Sequence, residues 1–428
     1  MAKETPESGS AETPGTQERH ASWMELFFDL VAVAGIGQLT HLLHRGPSLG
    51  DFGLYVVLYL AFWMVWACMT LYGNIAGNNT RVGLMLGAMA GLGLMAAAVP
   101  GIPDRHATTF AAVYVLVRLG AERIWGEGKL VVDWPTAQLT LGVWPWIVSL
   151  WVGEPAKFWL WGAGLALDLY VLFAISGEKM LAEGRKRLRA RIERIQRSPR
   201  FDPDRWNPDK VPTFEAVHAE PAHLGERLGL FVIIVLGEGV IGIIAALGGQ
   251  SWTAVVVCLA FAAFVILAGL WALTLLFGFI PRLMTESDAT AKEPWQRIML
   301  THCGVTGGLA TLAAGLGLAM DHAHGHLSTG VGWALCGGAA TYFAVVGVSG
   351  IRSGNVGWRW LLTWPLPCTA LAVALGFAAT HLTALPLVCA VAALVLWPLL
   401  WETWSAGKWR TGSGPDRPGR AAETDTAT

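Results

Sequence analysis

Twelve apolar stretches, each about as long as a bilayer is thick, set narrow limits on how this chain can fold. A hydrocarbon core of about 30 Å is crossed by about 20 helical residues. Backbone groups inside a bilayer must be hydrogen-bonded within the protein, so each stretch is predicted to be a helix. The predicted spans are 23–43, 52–72, 82–99, 107–125, 134–152, 158–177, 224–247, 252–280, 298–320, 330–350, 358–380 and 385–404.

Composition agrees with this interpretation. Charged residues make up 14% of the 428 residues, whereas a soluble domain carries about 25%. The sequence therefore predicts an all-α fold, a polytopic transmembrane helix bundle of about twelve spans. The formal net charge of −1 gives no general attraction to nucleic acid. The apolar spans instead predict the lipid bilayer as the partner of this chain.

Polar segments divide the chain into two membrane halves of six helices each. The predicted organisation is a disordered cytoplasmic tail over 1–22, half one over 23–177, a basic cytoplasmic loop over 178–222, half two over 223–404, and a disordered cytoplasmic tail over 405–428.

The distribution of basic residues predicts the orientation. With the N-terminus inside, Arg45, Arg105 and Lys157 are the basic residues left on the outer face, and the others fall on the cytoplasmic side. This asymmetry follows the positive-inside rule and predicts a multi-pass protein of the cytoplasmic (inner) membrane with both termini cytoplasmic. The basic loop and the C-terminal tail are predicted to contact anionic lipid heads.

The two halves have the span count of an internal duplication in parallel orientation, as in transporters built from repeats. The supporting matches lie about 201 or 202 residues apart: Glu25 with Glu226, Gly35 with Gly237, and Gly37 with Gly239. Because chance can produce such matches in a chain with 51 glycines, duplication and coincidence both stay open.

Ionisable side chains inside the spans are the candidate functional residues, since each costs at least about 2.5–3.5 kcal/mol at a helix centre. Two acids are predicted near mid-membrane, Asp168 and Glu238. A charged cluster is predicted at the cytoplasmic mouth, and two polar residues continue toward the outer side. The cluster consists of Glu25, Asp29, Arg118, Glu226 and Arg227, and the outer residues are Gln38 and His41.

Glu25 and Asp29 are four residues apart, so they share one helix face and repel each other. A bound cation, a proton or an arginine from another helix would relieve this repulsion. The arginines at a suitable depth are Arg118, Arg123 and Arg227. The acids either form salt bridges that fix helix register, or serve a conducting, proton-coupled or ligand-binding pathway.

The segment D-H-A-H-G-H over 321–326 is a candidate metal site. Its imidazoles, from His322, His324 and His326, suit zinc or copper, although such a loop is also compatible with simple solvation. The six cysteines form no C-x-x-C pair, so neither a disulfide framework nor a thiolate site is predicted.

No catalytic residue or cofactor is predicted. The sequence lacks phosphate-binding, serine-hydrolase, zinc-protease and aspartate-rich diphosphate motifs, which argues against an ATP-driven pump and makes an enzyme less favoured.

Two long motifs resemble the bacterial low temperature requirement protein A family. Residues 25–41 read ELFFDLVAVAGIGQLTH and match the family's first-helix signature at 25–31, 38, 39 and 41. Residues 226–238 read ERLGLFVIIVLGE and match its second signature. Within the first motif, Ala32, Gly35 and Gly37 depart from the bulkier or hydroxylated residues that are usual in the family. The resemblance implies a bacterial multi-pass membrane protein needed for growth in the cold, and it specifies no biochemical activity.

A more distant similarity is to the potassium channels built from six-helix repeats, whose first helix carries Phe-Ser-Asp. Here Phe27, Phe28 and Asp29 stand at those places, so Phe28 replaces the serine. We predict a transporter or channel for a small ion or solute that uses intramembrane carboxylates. The alternative is a non-transporting membrane protein, either a lipid-acting enzyme or a structural factor for growth in the cold.

Overall fold

The structure is a computed structural model, and it describes residues 20–43, 48–102, 104–122, 129–131, 140–174, 177–197, 215–278, 295–353 and 356–410. The predicted tails before residue 20 and after residue 410 lie outside these residues, as do Arg45 and Arg123. The helices up to the middle of the chain are α1 (Trp23–Gln38), α2 (Leu49–Ala76), α3 (Val82–Ala98), α4 (Ala107–Glu122), α5 (Val143–Ser149), α6 (Ala156–Ala174) and α7 (Gly177–Gln196). Those that follow are α8 (Pro221–Gly248), α9 (Ala254–Leu275), α10 (Trp295–Asp321), α11 (Thr329–Arg352), α12 (Pro365–Ala378) and α13 (Ala384–Arg410).

Local capping chemistry explains where several helices begin. The Ser22 hydroxyl accepts a hydrogen bond from the Glu25 backbone N–H, and the Glu25 carboxylate accepts one from the Ser22 N–H, which together form a capping box. Ser48 and Asp51 repeat this arrangement at α2. α8 begins at Pro221, whose missing N–H costs nothing in a first turn.

Among the described residues, nine helices are long and apolar enough to cross a membrane. The predicted spans four to six are less complete. The apolar part of α4 is Ala107–Gly120, and the helix described within the fifth span is the seven-residue α5. Residues 123–128 and 132–139 are outside the description. The structure therefore establishes a multi-pass helical bundle, and the count of twelve stays a prediction.

The predicted basic loop over 178–222 contains regular structure. α7 is a 20-residue charged helix, and a three-residue strand, β2 (Glu215–Val217), pairs in parallel with β1 (Lys129–Val131). The pairing places the segments before α5 and before α8 on one side of the bundle. We call this side the basic face, defined by α7 and the first residues of α1 and α8, and the other side the opposite face.

Helix α2 is the most buried of the nine candidate spans. It contacts α1, α3, α4 and α6 of the first half, and α8 and α10 of the second. Its side chains therefore separate two groups of polar residues described below.

The two halves share one order of helix contacts. In each, the first helix contacts the second and third, the third contacts the fourth, the fourth contacts the fifth, and the sixth contacts the fifth and second. This correspondence pairs α1–α6 with α8–α13. The halves meet chiefly where α1 packs against α8.

Helices α10 and α11 approach each other through glycines. A methyl group added to Gly338 would lie 2.8 Å from the Gly308 carbonyl oxygen, and one added to Gly315 would meet the backbone of Leu335. Small residues allow this backbone contact, which gains van der Waals energy where no hydrophobic effect drives helices together.

We expect Gly338→Ala to destabilise the protein by roughly 1–3 kcal/mol, because the added methyl overlaps the α10 backbone. The matched control is Gly337→Ala, whose methyl would meet nothing closer than a ring carbon of Trp333 at 3.5 Å. Thermal unfolding in detergent measures both, and an equal loss in the two variants would contradict the close crossing.

Candidate functional site

Helices α1, α8 and α10 run parallel to one another. Their contacting residues occur in the same order along each helix. The pairs are Asp29 with Arg227, Gly37 with Glu238, Leu228 with His302, and Gly239 with Ala313. Moving from the basic face to the opposite face, this interface contains an ionic layer, an aromatic layer and a cavity.

The ionic layer is centred on Arg227, which is fully buried. Its Nε donates to Asp29 Oδ2 at 3.0 Å, its Nη2 pairs with Asp29 Oδ1, and its Nη1 lies 3.1 Å from Glu25 Oε1. Trp66 of α2 also donates to Asp29, at 2.7 Å. Of the three arginines predicted as partners for the two acids, Arg227 binds both, and Arg123 lies outside the described residues.

His223 extends this layer toward the basic face. The Asn74 side chain is oriented by Glu220, whose N–H donates to Asn74 Oδ1 at 2.7 Å and whose carbonyl accepts from Nδ2. Asn74 Nδ2 therefore donates to His223 Nδ1, 3.0 Å away. The proton of neutral His223 is then on Nε2, which faces Glu25 Oε2 at 3.4 Å.

This layer sets two carboxyl groups, those of Glu25 and Asp29, against one guanidinium group, that of Arg227. The positive ends of the α1 and α8 dipoles also lie here, which favours negative charge on the carboxyl groups.

Arg118 and Asp168 form a second buried pair on the other side of α2. Arg118 Nη2 lies 3.1 Å from Asp168 Oδ2, and Nη1 donates to Cys68 Sγ at 2.8 Å. Both charged side chains are almost fully buried. Arg118 was predicted at the cytoplasmic mouth with Glu25 and Asp29, and the structure instead places it with Asp168, because α2 lies between the two groups.

An aromatic layer follows the ionic layer. The rings of Trp66, Phe231 and His302 lie 4.1–5.5 Å apart, and all three side chains are fully buried. His302 accepts from Trp63 through Nδ1 and donates to the Leu228 carbonyl through Nε2. This layer closes the interface between Arg227 and the cavity with packed rings.

A cavity of about 330 Å³ lies between the three helices on the side of the opposite face. Glu238 lines it, half-buried, and its carboxylate lies directly against Gly37 of α1. Most of the wall is glycine and alanine at helical spacing, including Gly239, Gly242, Ala246, Ala310, Ala313 and Gly317. Within the described part of the chain, the Glu238 carboxylate has neither an ion-pair partner nor a hydrogen-bond donor.

The surroundings of the cavity are electrostatically negative. Its described lining includes Asp321 and contains no lysine, arginine or histidine. The C-terminal ends of α8 and α10 lie at its mouth, and helix C-termini carry a partial negative charge. The arrangement is suited to holding a cation.

The remaining predicted residues lie outside these layers. Glu226 accepts from the Ala21 N–H at 3.1 Å near the surface. Gln38 ends α1 and is half-buried, and His41 is exposed in the following 3-10 turn. Asp168 does not line the cavity of Glu238, so the structure does not bring these two acids to one space.

The histidine segment does not form a metal centre in the described residues, because no group of three potential ligands converges there. His322 bonds to the Leu318 carbonyl at 2.9 Å, and His324 lies 3.3 Å from the Thr253 hydroxyl.

The sequence analysis missed His223, Trp66 and Asn74 as members of the ionic layer. His223 could have been found, because it precedes Arg227 by one helical turn and so shares its face. Trp66 and Asn74 lie on α2, and only the packing of α2 against α1 and α8 identifies them.

We expect Arg227→Met to destabilise the protein by roughly 3–5 kcal/mol, because two buried carboxylates lose their counter-charge. Adding Glu25→Gln and Asp29→Asn should recover most of that loss, because the layer is then neutral. Thermal unfolding in detergent measures the series, with the exposed Arg359→Gln as control. A loss for Arg227→Met no larger than that of the control would show that the ionic layer does not stabilise the fold.

Comparisons with known proteins support the resemblance predicted from the two motifs. The sequence profile described as "Bacterial low temperature requirement A protein (LtrA)" matches residues 20–397. A Rhizobium meliloti (strain 1021) protein named "Uncharacterized protein RA0937" is 29% identical over 234 residues, which is 53% of this chain and 51% of that protein. The chain thus spans about half the length of the curated relative it matches. No solved structure matches the chain significantly. The chain belongs to the bacterial low temperature requirement A (LtrA) family of membrane proteins.

Proposed function

We propose that this protein moves a small cation, or a solute carrying a positive charge, across the membrane, and that Glu238 is the group on which the cation binds. The observation that supports this proposal is a contrast among the acids inside the bundle. Glu25, Asp29 and Asp168 each face an arginine, whereas the Glu238 carboxylate faces a cavity without a basic side chain among its described lining.

The energetics of this carboxylate support the proposal. An ionised group inside a membrane costs at least about 2.5–3.5 kcal/mol on insertion scales, so it persists where something offsets the cost. A proton, a metal cation or an ammonium group entering the cavity would do so. Asp321 and the helix C-termini at the mouth would raise the local concentration of such ions.

The layers suggest how passage would be controlled. The cavity opens at the opposite face, while the aromatic and ionic layers seal the path toward the basic face. Passage therefore requires α1 and α8 to separate at these layers, with Arg227 releasing at least one of its two acids. The carboxylate that Arg227 releases would attract the arriving cation.

We further propose that the two halves are a parallel duplication of six helices, so that the chain has twelve spans. The common order of helix contacts supports this, as does the parallel packing of α1 on α8. In repeat-built transporters the binding site lies where the repeats meet, and rocking of one half against the other alternates its access. Glu238 lies at the α1–α8 contact.

The proposed orientation has the basic face in the cytoplasm of the cell and both termini there, in the cytoplasmic membrane. The exposed arginines of α7 support this, because positive-inside sorting retains such segments and anionic lipid heads attract them.

We expect the purified protein in liposomes to conduct protons, potassium or sodium when a gradient of that ion is imposed, and Glu238→Gln to lower the flux at least about tenfold. The amide keeps the shape and removes the charge that holds the cation. A pH-sensitive or potassium-sensitive dye inside the liposomes measures the flux.

The control is Glu193→Gln on α7, whose side chain is 62% exposed, and this change should not affect the flux. If folded protein passes none of these ions, nor a small organic ammonium, the transport proposal is wrong. The non-transporting alternative, a lipid-acting enzyme or a structural factor for growth in the cold, is then the better interpretation.

Filling the cavity should also stop the flux. Gly242 lines the cavity with nothing within 4 Å of an added Cβ, so Gly242→Leu places a side chain in the space without a backbone clash. The matched control is Gly237→Leu on the same helix, which also has open space but does not line the cavity. The same dye assay compares them, and equal flux in the two variants would exclude the cavity from the path.

A further inference from the structure

A second groove, of about 250 Å³, lies between α10 and α11 near the basic face. The two helices are in backbone contact at Gly308 and Gly338. Closer to the basic face, α10 and α11 are separated by a side chain, because that of Val345 occupies the place that a Cβ at Gly304 would take. Beyond this point the helices leave a space that the groove occupies.

The lining of the groove is amphipathic. Arg297 of α10 and Arg352 of α11 stand at the end nearest the basic face, one on each helix. The Thr301 and Ser349 hydroxyls bridge the two helices at 3.4 Å, and the deeper lining is apolar. No acidic side chain belongs to the described lining.

Both arginines are exposed, and neither has an ion-pair partner among the residues that the structure describes. Two cations held at the mouth of one groove repel each other, so an anion placed between them is favoured. Phosphate suits this position, because a guanidinium group binds its oxygens through two parallel hydrogen bonds.

The apolar part of the groove decides between a free anion and an amphiphile. Leu300, Val345 and Val348 line it, and Val348 is 51% exposed on the outside of the bundle. A free phosphate would leave this apolar surface unoccupied. A phospholipid would cover it with an acyl chain while its phosphate reached the arginines.

We propose that the groove between α10 and α11 is a binding site for one anionic phospholipid. Its phosphate lies between Arg297 and Arg352, its glycerol oxygens bond to Thr301 and Ser349, and one acyl chain packs along Val345 and Val348. The site is separate from the Glu238 cavity, so it does not depend on the proposed transport.

The test uses the full chain, delipidated in detergent and then incubated with phosphatidylglycerol or phosphatidylcholine. Native mass spectrometry counts the lipids that remain bound. We expect one phosphatidylglycerol to be retained in preference to phosphatidylcholine. Arg297→Gln with Arg352→Gln should weaken its binding by roughly 25-fold, since each basic residue near the surface contributes about fivefold.

The matched control is Arg81→Gln with Arg359→Gln, which removes the same charge from two exposed arginines that do not line the groove. Equal losses in the two double variants would overturn the proposal, because general surface charge would then explain the binding. Equal retention of the two lipids, or displacement of phosphatidylglycerol by millimolar inorganic phosphate, would also overturn it.

A third variant addresses the acyl chain and guards against misfolding of the double variant. Val348→Trp fills the apolar part of the groove and leaves both arginines in place. We expect it to lower phosphatidylglycerol retention at least about fivefold while the protein unfolds at an unchanged temperature. Full retention in this folded variant would show that no acyl chain occupies the groove.

Discussion

The salt bridge of Arg227 with two carboxylates fixes how the two halves of this protein meet. Removing one partner of a buried guanidinium–carboxylate pair costs several kcal/mol, because the other charge is left buried and unpaired. Helices α1 and α8 therefore have little freedom to slide or rotate at this level. Glu25 and Asp29 lie one turn apart, and Arg227 reaches both from the neighbouring helix. The register set here brings Gly37 opposite Glu238 further along, so the position of the cavity follows from the position of the ionic layer.

The first helices of the two halves are not equivalent in charge. In the proposed duplication, with its 202-residue offset, Gly37 would correspond to Gly239, and Ile36 to Glu238. One half therefore supplies a carboxylate, while the other supplies the small residue against which that carboxylate lies. A carboxylate from both halves would place two like charges within one small-residue cavity, and each would raise the cost of ionising the other. The asymmetry leaves Glu238 as the acid that the α1–α8 contact contributes to the cavity, while Asp321 of α10 also lines it.

Much of the architecture could be predicted from the sequence, because apolar length and charge distribution are properties of single helices. The spacing of Glu25 and Asp29 predicts a bound cation, a proton or an arginine beside them, and Arg227 is among the predicted arginines. The choice among the arginines depends on which helices are neighbours, and that is a property of the packed bundle. Asp168 and Glu238 looked alike in sequence, since both are acids in mid-span. Arg118 distinguishes them, because it forms an ion pair with Asp168 on the side of α2 that faces away from the Glu238 cavity.

Helix α2 explains why these acids have different surroundings. Its Trp66 donates to Asp29 on one side, and its Cys68 accepts from Arg118 on the other. Asp29 and Asp168 are therefore each paired with an arginine, and α2 contributes one further hydrogen bond to each ion pair. Glu238 lies further along α8, where most of the surrounding wall is glycine and alanine, and no described side chain donates a hydrogen bond to its carboxylate. In the proposed transport, neutralisation of this carboxylate is left to the cation that enters the cavity. The small residues would then serve two purposes, since they make the space and also keep the carboxylate available to that cation.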